Sequence, residues 1–384
     1  MTLPFAPHYG AGGLDAVLPA VAATLGSRAY ARRCAGLDPA RRAVVVLVDG
    51  LGDVLLQGRA GHAPFLRTLV SSGRRLTAGF PSTTATSMGT FGTGTPPGTH
   101  GLLGYEVLIP GADRLLNELS WEDGPDPLAW QIVPTVLETL VREGVAVTRT
   151  GPAFFDGSGL TNAALRGGRF VAARTFDNRV DAAVAAVGGA PRALAYVYWG
   201  DLDKVGHVHG VSSRQWVEEL ESVDRAIARL VASVPADTAV HITADHGMVD
   251  VPASARVDLA DEPDLARGIR HLGGEMRAPQ LYCEPGAAPD VLAAWTERLA
   301  AHAWVRSREE AVAAGWFGTV TDVNLARIGD VVVAMRESYA VVDRHRTRPE
   351  LLALLGQHGS LTDAETAVPW LIVPPEPRAP RRAT

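Results

Sequence analysis

The sequence predicts an α/β protein: a doubly wound, mainly parallel sheet flanked by helices, with a smaller inserted α+β subdomain. Three observations carry that reading. Residues 43–48 (Ala-Val-Val-Val-Leu-Val) and 193–199 (Ala-Leu-Ala-Tyr-Val-Tyr-Trp) are apolar runs of strand length, as expected of strands buried on both faces. These strands and a third at 237–243 alternate with helical stretches, which implies parallel pairing. The plainest such stretch is 213–234, where Trp216, Leu220, Val223, Ile227 and Leu230 recur at helical spacing.

Taken in order, residues 1–40 read as an N-terminal arm with one helix at 14–25. The strand at 43–48 ends in Asp49-Gly50-Leu51-Gly52, the place where such sheets carry ligand-binding groups. A helix at 63–73 and a short strand at 75–79 lead to Phe80-Pro81-Ser82-Thr83-Thr84, where Pro81 must end the strand. The small residues that follow can enter a helix, with three hydroxyls at its N-terminal end. Unsatisfied amides and the positive end of the helix dipole meet there, and they stabilise a phosphate or a developing alkoxide. Read alone, this stretch is a Ser/Thr cap. The acidic and histidine clusters elsewhere turn the reading towards a nucleophile.

Residues 105–192 are mixed, with helices expected at 134–142 and 178–187 and a strand at 145–150. The strand at 193–199 runs into a Gly-bearing loop, 200–210, that carries Asp203 and His207. The strand at 237–243 ends in Asp245-His246-Gly247-Met248. Parallel strands share a carboxyl edge, so the loops at Asp49, Asp203/His207 and Asp245/His246 should converge. Composition shifts after 250. A Pro- and Arg-containing stretch at 273–283 precedes a helix at 289–302 and strands at 328–335 and 339–342. The expected division is therefore a catalytic core at 1–250, an inserted cap at 251–345, and the return of the core at 346–384. That last part comprises a helix near 349–355, His358-Gly359, a strand at 368–373 and a Pro/Arg-rich tail expected to be disordered.

A net charge of −6 argues against a nucleic-acid polymer as partner. Arginine dominates the basic residues, and Lys204 is the only lysine. No apolar stretch reaches the ~18 residues of a membrane span. The N-terminal stretch lacks a basic region ahead of an apolar core, so no signal peptide is expected. Cys34 and Cys283 are too few and too far apart for a disulfide framework or a CxxC site. The expected location is cytoplasmic.

The candidate metal ligands are Asp49, Asp203, His207, Asp245, His246 and His358. Mixed Asp/His ligation without thiolate favours Zn²⁺, with Mn²⁺ or Fe as alternatives, over Ca²⁺. Six ligands and a hydroxyl exceed one tetrahedral ion and suggest two, about 4 Å apart. Such a pair suits phosphoryl transfer, one ion acting on the nucleophile and the other on the leaving oxygen. Other histidines have plainer readings: His241 as a core residue, His100 as a brace for its turn, His209 as a loop residue. Lys204 is read as either solvated or phosphate-facing. Tyr105, Trp121 and Trp199 are read as core packing before any pocket role.

Asp49-Gly50 after a strand, Phe80-Pro81-Ser82-Thr83-Thr84, Asp203-Lys-Val-Gly-His207, Asp245-His246-Gly247-Met248 and His358-Gly359 together resemble the alkaline phosphatase superfamily. The resemblance is to its type I phosphodiesterase/nucleotide pyrophosphatase branch, in that family's order and over residues 43–362. It implies one ion on Asp49, Asp245, His246 and the Thr84 oxygen, and another on Asp203, His207 and His358. Thr84 would be the nucleophile of a phosphothreonine intermediate, with Thr83 as the alternative if the register slips by one. The implied substrate is a small phosphate ester or nucleotide, as a diester or pyrophosphate. One departure concerns the asparagine that the branch places three residues after the nucleophile; here that position is Ser87. A phosphomonoesterase or phosphonate hydrolase on the same scaffold is the alternative, and a non-catalytic metal-binding module is a third reading.

Overall fold

Seven strands make the central sheet of the computed structural model, which describes residues 6–376: β1 (Arg42–Val48), β2 (Arg74–Thr77), β3 (Ala146–Gly151), β4 (Arg169–Ala172), β5 (Ala193–Trp199), β6 (Thr238–Thr243) and β7 (Ala367–Val373). Their spatial order is β2-β7-β6-β1-β5-β3-β4. The Val run of β1 occupies the middle, buried from Ala43 to Val48, and pairs in parallel with β5 on one side and β6 on the other. The three strands expected to share a carboxyl edge are thus immediate neighbours. β7 is antiparallel to both β2 and β6 and is the exception in an otherwise parallel sheet.

Three helices matter for the site: α1 (Thr84–Thr93), α2 (Asp201–His209) and α3 (Arg214–Ser233). The apolar stripe of α3 is buried as its spacing requires, from Trp216 through Leu230. The segment 200–210, expected as a loop, is instead the helix α2. Asp201 and Asp203 in its first turn and His207 and His209 in its last suit the helix dipole. Gly206 in its interior hides the helix from a propensity reading. The glycine is there because a β-carbon would sit 2.6 Å from the Met248 sulfur. Asp203 and His207, four residues apart, therefore lie on one helical face.

An antiparallel sheet in the order Ile269–Glu275, Ala278–Cys283, Val331–Met335, Ala303–Ser307 lies beyond the central one. The Pro- and Arg-containing stretch at 273–283 forms most of its first two strands. Helix Ala288–Arg298 packs on this sheet, and Leu281, Trp295, Leu299, Val305 and Val333 form an apolar cluster separate from the main core. Arg277 and Glu365, both fully buried, fasten the sheet to the segment before β7: Nε and Nη2 of Arg277 donate to Oε1 and Oε2 of Glu365, each at 2.7 Å. The tail after 376 lies outside the described residues.

Candidate metal and nucleophile site

The carboxyl edges of β1, β5 and β6 do bring their acids together. Asp49 follows β1, and its backbone amide bonds the Trp199 carbonyl at the end of β5. Gly50 adopts φ +73, and a β-carbon there would lie 3.1 Å from the Asp203 backbone, so only glycine lets α2 approach β1 this closely. After β6, Gly247 passes the segment before β7 at still shorter range: its β-carbon would meet the Ala364 carbonyl oxygen at 2.0 Å. His358 is carried by a segment stitched to the nucleophile stretch, with Ser82 N donating to Gly359 O at 2.9 Å and Ser82 Oγ to Ser360 O at 2.7 Å.

Thr84 is the first residue of α1. The cap position falls to Thr83, whose side chain makes no capping bond, so the cap reading of this stretch is not realised. The Thr84 hydroxyl lies 3.2 Å from His246 Nε2 instead. That nitrogen also stands 3.4 Å from Asp49 Oδ1 and 3.4 Å from Asp245 Oδ2. In the neighbouring group His207 Nε2 is 3.3 Å from Asp203 Oδ2, and His358 Nε2 is 3.9 Å from Asp203 Oδ1. The rings of His246 and His358 stack with centroids 3.7 Å apart, so the two groups abut. Every residue named from the sequence as a ligand thus falls in one of two triads, Asp49/Asp245/His246 beside Thr84 or Asp203/His207/His358.

The hydrogen bonds around these triads leave one atom of each residue facing inward. Nδ1 of His207, His246 and His358 donates to the carbonyls of Gly356, Gly247 and Ser82 respectively, so each Nε2 keeps its lone pair. The Tyr198 hydroxyl donates to Asp49 Oδ2, and Gly50 N donates to Asp245 Oδ1 at 3.1 Å. Asp49 Oδ1, Asp245 Oδ2 and Asp203 Oδ1 are buried with no hydrogen-bond partner. Burial, then the charges of Asp245 and Asp203, push the Asp49 carboxyl well above the carboxylate range. Burial raises Asp245 too, against the pull of His246. Burial also pushes Asp203 up, but His207, His358 and His246 together outweigh this and hold it below that range.

A divalent cation fits this arrangement. Ligands about 2.1 Å from a tetrahedral ion stand roughly 3.4 Å from one another, close to the separations found. A positive charge would also satisfy the three orphaned oxygens and return Asp49 and Asp245 to their charged forms.

Two cavities, of about 560 and 440 Å³, meet at Thr84, and Tyr105, Asn117, Leu119 and Asp203 line both. Lys204, exposed, lines the larger, as does Glu275, whose Oε1 is buried and unpartnered. Ser87 is fully buried within α1 and lines neither, so it cannot stand in for the missing asparagine. His241 is a core residue, accepting from Trp370 Nε1. His100 braces its turn, taking a bond from Leu102 N and facing Thr90 Oγ1 at 3.0 Å. His209 ends α2, exposed and outside both triads, and Trp121 and Trp199 pack in the core. The sequence reading missed Tyr198, Arg149 and Glu275. Only Tyr198 left a trace, in its alternation with Tyr196 along β5.

A mostly parallel sheet that carries a helix-initiating threonine and two Asp/His triads on its carboxyl edge defines the class as a hydrolytic enzyme of the alkaline phosphatase superfamily. No helix among the described residues is long and apolar enough to cross a membrane. The chain belongs to the type I phosphodiesterase/nucleotide pyrophosphatase family, whose model matches residues 43–361. Among solved structures, murine ectonucleotide pyrophosphatase/phosphodiesterase 5 superposes with a TM-score of 0.69 at 17% identity, covering 86% of this chain and 87% of that one. An inactive threonine-to-alanine variant of that murine protein, in complex with AMP, superposes equally well. Phosphonoacetate hydrolase from Sinorhizobium meliloti 1021, in complex with phosphonoacetate, gives a TM-score of 0.65 at 22% identity, covering 89% and 93%. At these identities the likeness is one of fold.

Proposed function

We propose that the chain hydrolyses phosphodiester or nucleotide pyrophosphate bonds of small molecules, with Thr84 as covalent nucleophile and two divalent cations in the triads. The observation that carries this reading is His246 Nε2, within 3.4 Å of Thr84 Oγ1, Asp49 Oδ1 and Asp245 Oδ2 together. Asp49, Asp245 and His246, with the Thr84 oxygen, would hold one cation; Asp203, His207 and His358 would hold the other. When bound, the cations, Zn²⁺ by preference and Mn²⁺ or Fe as alternatives, supply the charge that acidifies the hydroxyl and stabilises the leaving oxygen.

The chain's own groups do the rest. Position at the start of α1 surrounds Thr84 with unsatisfied amides, which favour the anionic phosphoryl group. The three Nδ1-to-carbonyl bonds keep the histidine rings from turning, and Tyr198 keeps the Asp49 carboxylate from rotating. Thr84 Oγ1 forms the bond to phosphorus as the ester oxygen departs. Water then breaks the threonine–phosphorus bond and restores the hydroxyl. We further assign residues 251–345 to a cap inserted in a core made of 1–250 and 346–384. The free thiols of Cys34 and Cys283 support a reducing, cytoplasmic setting.

The test is turnover of bis-p-nitrophenyl phosphate by Thr84→Ala, Thr84→Ser and Thr83→Ala. We expect Thr84→Ala to lose about 10³-fold or more in kcat with its metal content nearly intact, Thr84→Ser to keep part of the rate, and Thr83→Ala to lose far less. Acid-quenched wild-type protein should carry a phosphoryl adduct on Thr84 by mass spectrometry. Near-full activity of Thr84→Ala would end the covalent reading.

A further inference from the structure

Arg149, half-buried, stands apart from the fully buried arginines. Arg277 is paired with Glu365, Arg327 donates to the carbonyls of Gly101 and Trp130, and Arg179 donates to three carbonyls. The Arg149 side chain makes no hydrogen bond and no ion pair among the described residues, and its Nε is buried. Its one close partner is an aromatic face, the Phe170 ring, 5.7 Å from the guanidinium carbon to the ring centre. Asp156, on an exposed segment, favours its charge from beyond ion-pair distance. Burying the guanidinium Nε without an acceptor is unfavourable.

The place of this residue explains the exception. Arg149 lies near the carboxyl end of β3, in register with Tyr196 of β5 on one side and Phe170 of β4 on the other. It lines the smaller of the two cavities that meet at Thr84, where it is the only cation. Phe154, Phe155, Phe170 and Tyr198 also line that cavity. Phe155 lies 5.3 Å from Tyr198 and 4.7 Å from Phe154, ring centre to ring centre. Phe154 is 75% exposed, a large apolar side chain left in water at the cavity. Thr150, whose hydroxyl is also buried without a partner, lines the same space. An aromatic box with one unspent guanidinium is chemistry for a flat apolar body that carries an anion.

We propose that this cavity receives the non-reacting substituent of the ester, and that Arg149 selects a substituent bearing a carboxylate or phosphate-type oxyanion on an aromatic body. The inference rests on the diester reading and adds to it the identity of the second group on phosphorus. Arg149 binds rather than reacts, so it governs which ester is used and not how the ester is cleaved.

The experiment compares three diesters that release the same p-nitrophenolate. Their second substituent is phenyl, 4-carboxyphenyl or 4-phosphonophenyl, the last with a carbon–phosphorus bond that leaves one scissile centre. The readout is the ratio of kcat/KM for each anionic ester to that for the phenyl ester, which cancels differences in folding and metal loading between variants. Wild-type protein should favour at least one anionic ester tenfold or more. Arg149→Met should bring that ratio near one, and Arg149→Lys should keep part of it. Comparing the two anionic esters tells carboxylate from phosphonate selection. A wild-type ratio below threefold for both, or a ratio that persists in Arg149→Met, overturns the proposal while the diester reading stands. No p-nitrophenolate from any of the three overturns the diester reading itself, and the subsite with it.

Discussion

Replacing Arg277 by methionine should destabilise the protein chiefly through the buried carboxylate that it leaves without a counter-charge. Arg277 and Glu365 are both fully buried and share two bonds of 2.7 Å. Removing one partner of a buried ion pair costs about 3–5 kcal/mol, because the other charge remains desolvated. Glu365 keeps two donors, Ser360 N at 3.0 Å and the Thr362 hydroxyl, which places the expectation near the lower figure. At roughly 2.1 cal/mol/K per residue, 384 residues give an unfolding entropy of about 0.8 kcal/mol/K. A loss of about 3 kcal/mol then lowers Tm by about 4 °C. Differential scanning calorimetry of Arg277→Met, Glu365→Gln and the double variant reads this directly. The double variant should be more stable than the two single losses summed, since it removes both charges. The effect should also reach the candidate site, because the Glu365 carbonyl holds Gly247 N and the Glu365 carboxylate orders the segment that carries His358. A Tm change under 1 °C for Arg277→Met, or strict additivity in the double variant, would refute the argument.

Metal content offers a separate check: elemental analysis of protein purified without chelator should find close to two transition-metal ions per chain. Asp203→Ala and Asp245→Ala should each lose one, and full activity after exhaustive chelation would remove the two-cation reading. A pH prediction concerns Asp15, which is buried and accepts from Gly10 N; burial raises its carboxyl to about 6. A folded-state value above the unfolded one of about 3.9 gives stability that is full below pH ~4 and is lost as pH rises through ~6. Asp15→Asn escapes that loss, so the Tm of the variant relative to wild type should rise between pH 4.5 and pH 7. A difference that is flat or falling over that range would contradict the assignment.

The candidate ligands were legible because the rule that exposes them is short-range. An Asp just after a buried strand must emerge at the carboxyl edge of a parallel sheet, as do Asp49 after the Val run and Asp245 two residues beyond Thr243. His358 was the least legible of the six, since nothing local distinguishes it from the other histidines. The helix around Asp203 was hidden by Gly206, whose reason is a methionine forty-two positions later in the chain. Ser87 had the right offset for a phosphoryl contact but points into packed protein, a fact of helix phase that spacing from Thr84 does not convey. Arg149 and Glu275 reach the cavities from other strands, one of them in the inserted sheet, and only the assembled fold makes them neighbours of Thr84.

β7 has a consequence for how this protein is made. Apart from one bridge between Thr77 and Gly13, the only strand that β2 pairs with among the described residues is β7. On the ribosome β2 emerges early, while β7 follows all six other strands. Until then one edge of β6 and one edge of β2 lack their sheet partner, a template for unwanted strand pairing. His358, just ahead of β7, arrives in the same late window. A nascent or truncated chain ending before residue 358 thus lacks both the closing strand and one triad residue, so closure of the sheet and completion of the triad come together late in synthesis.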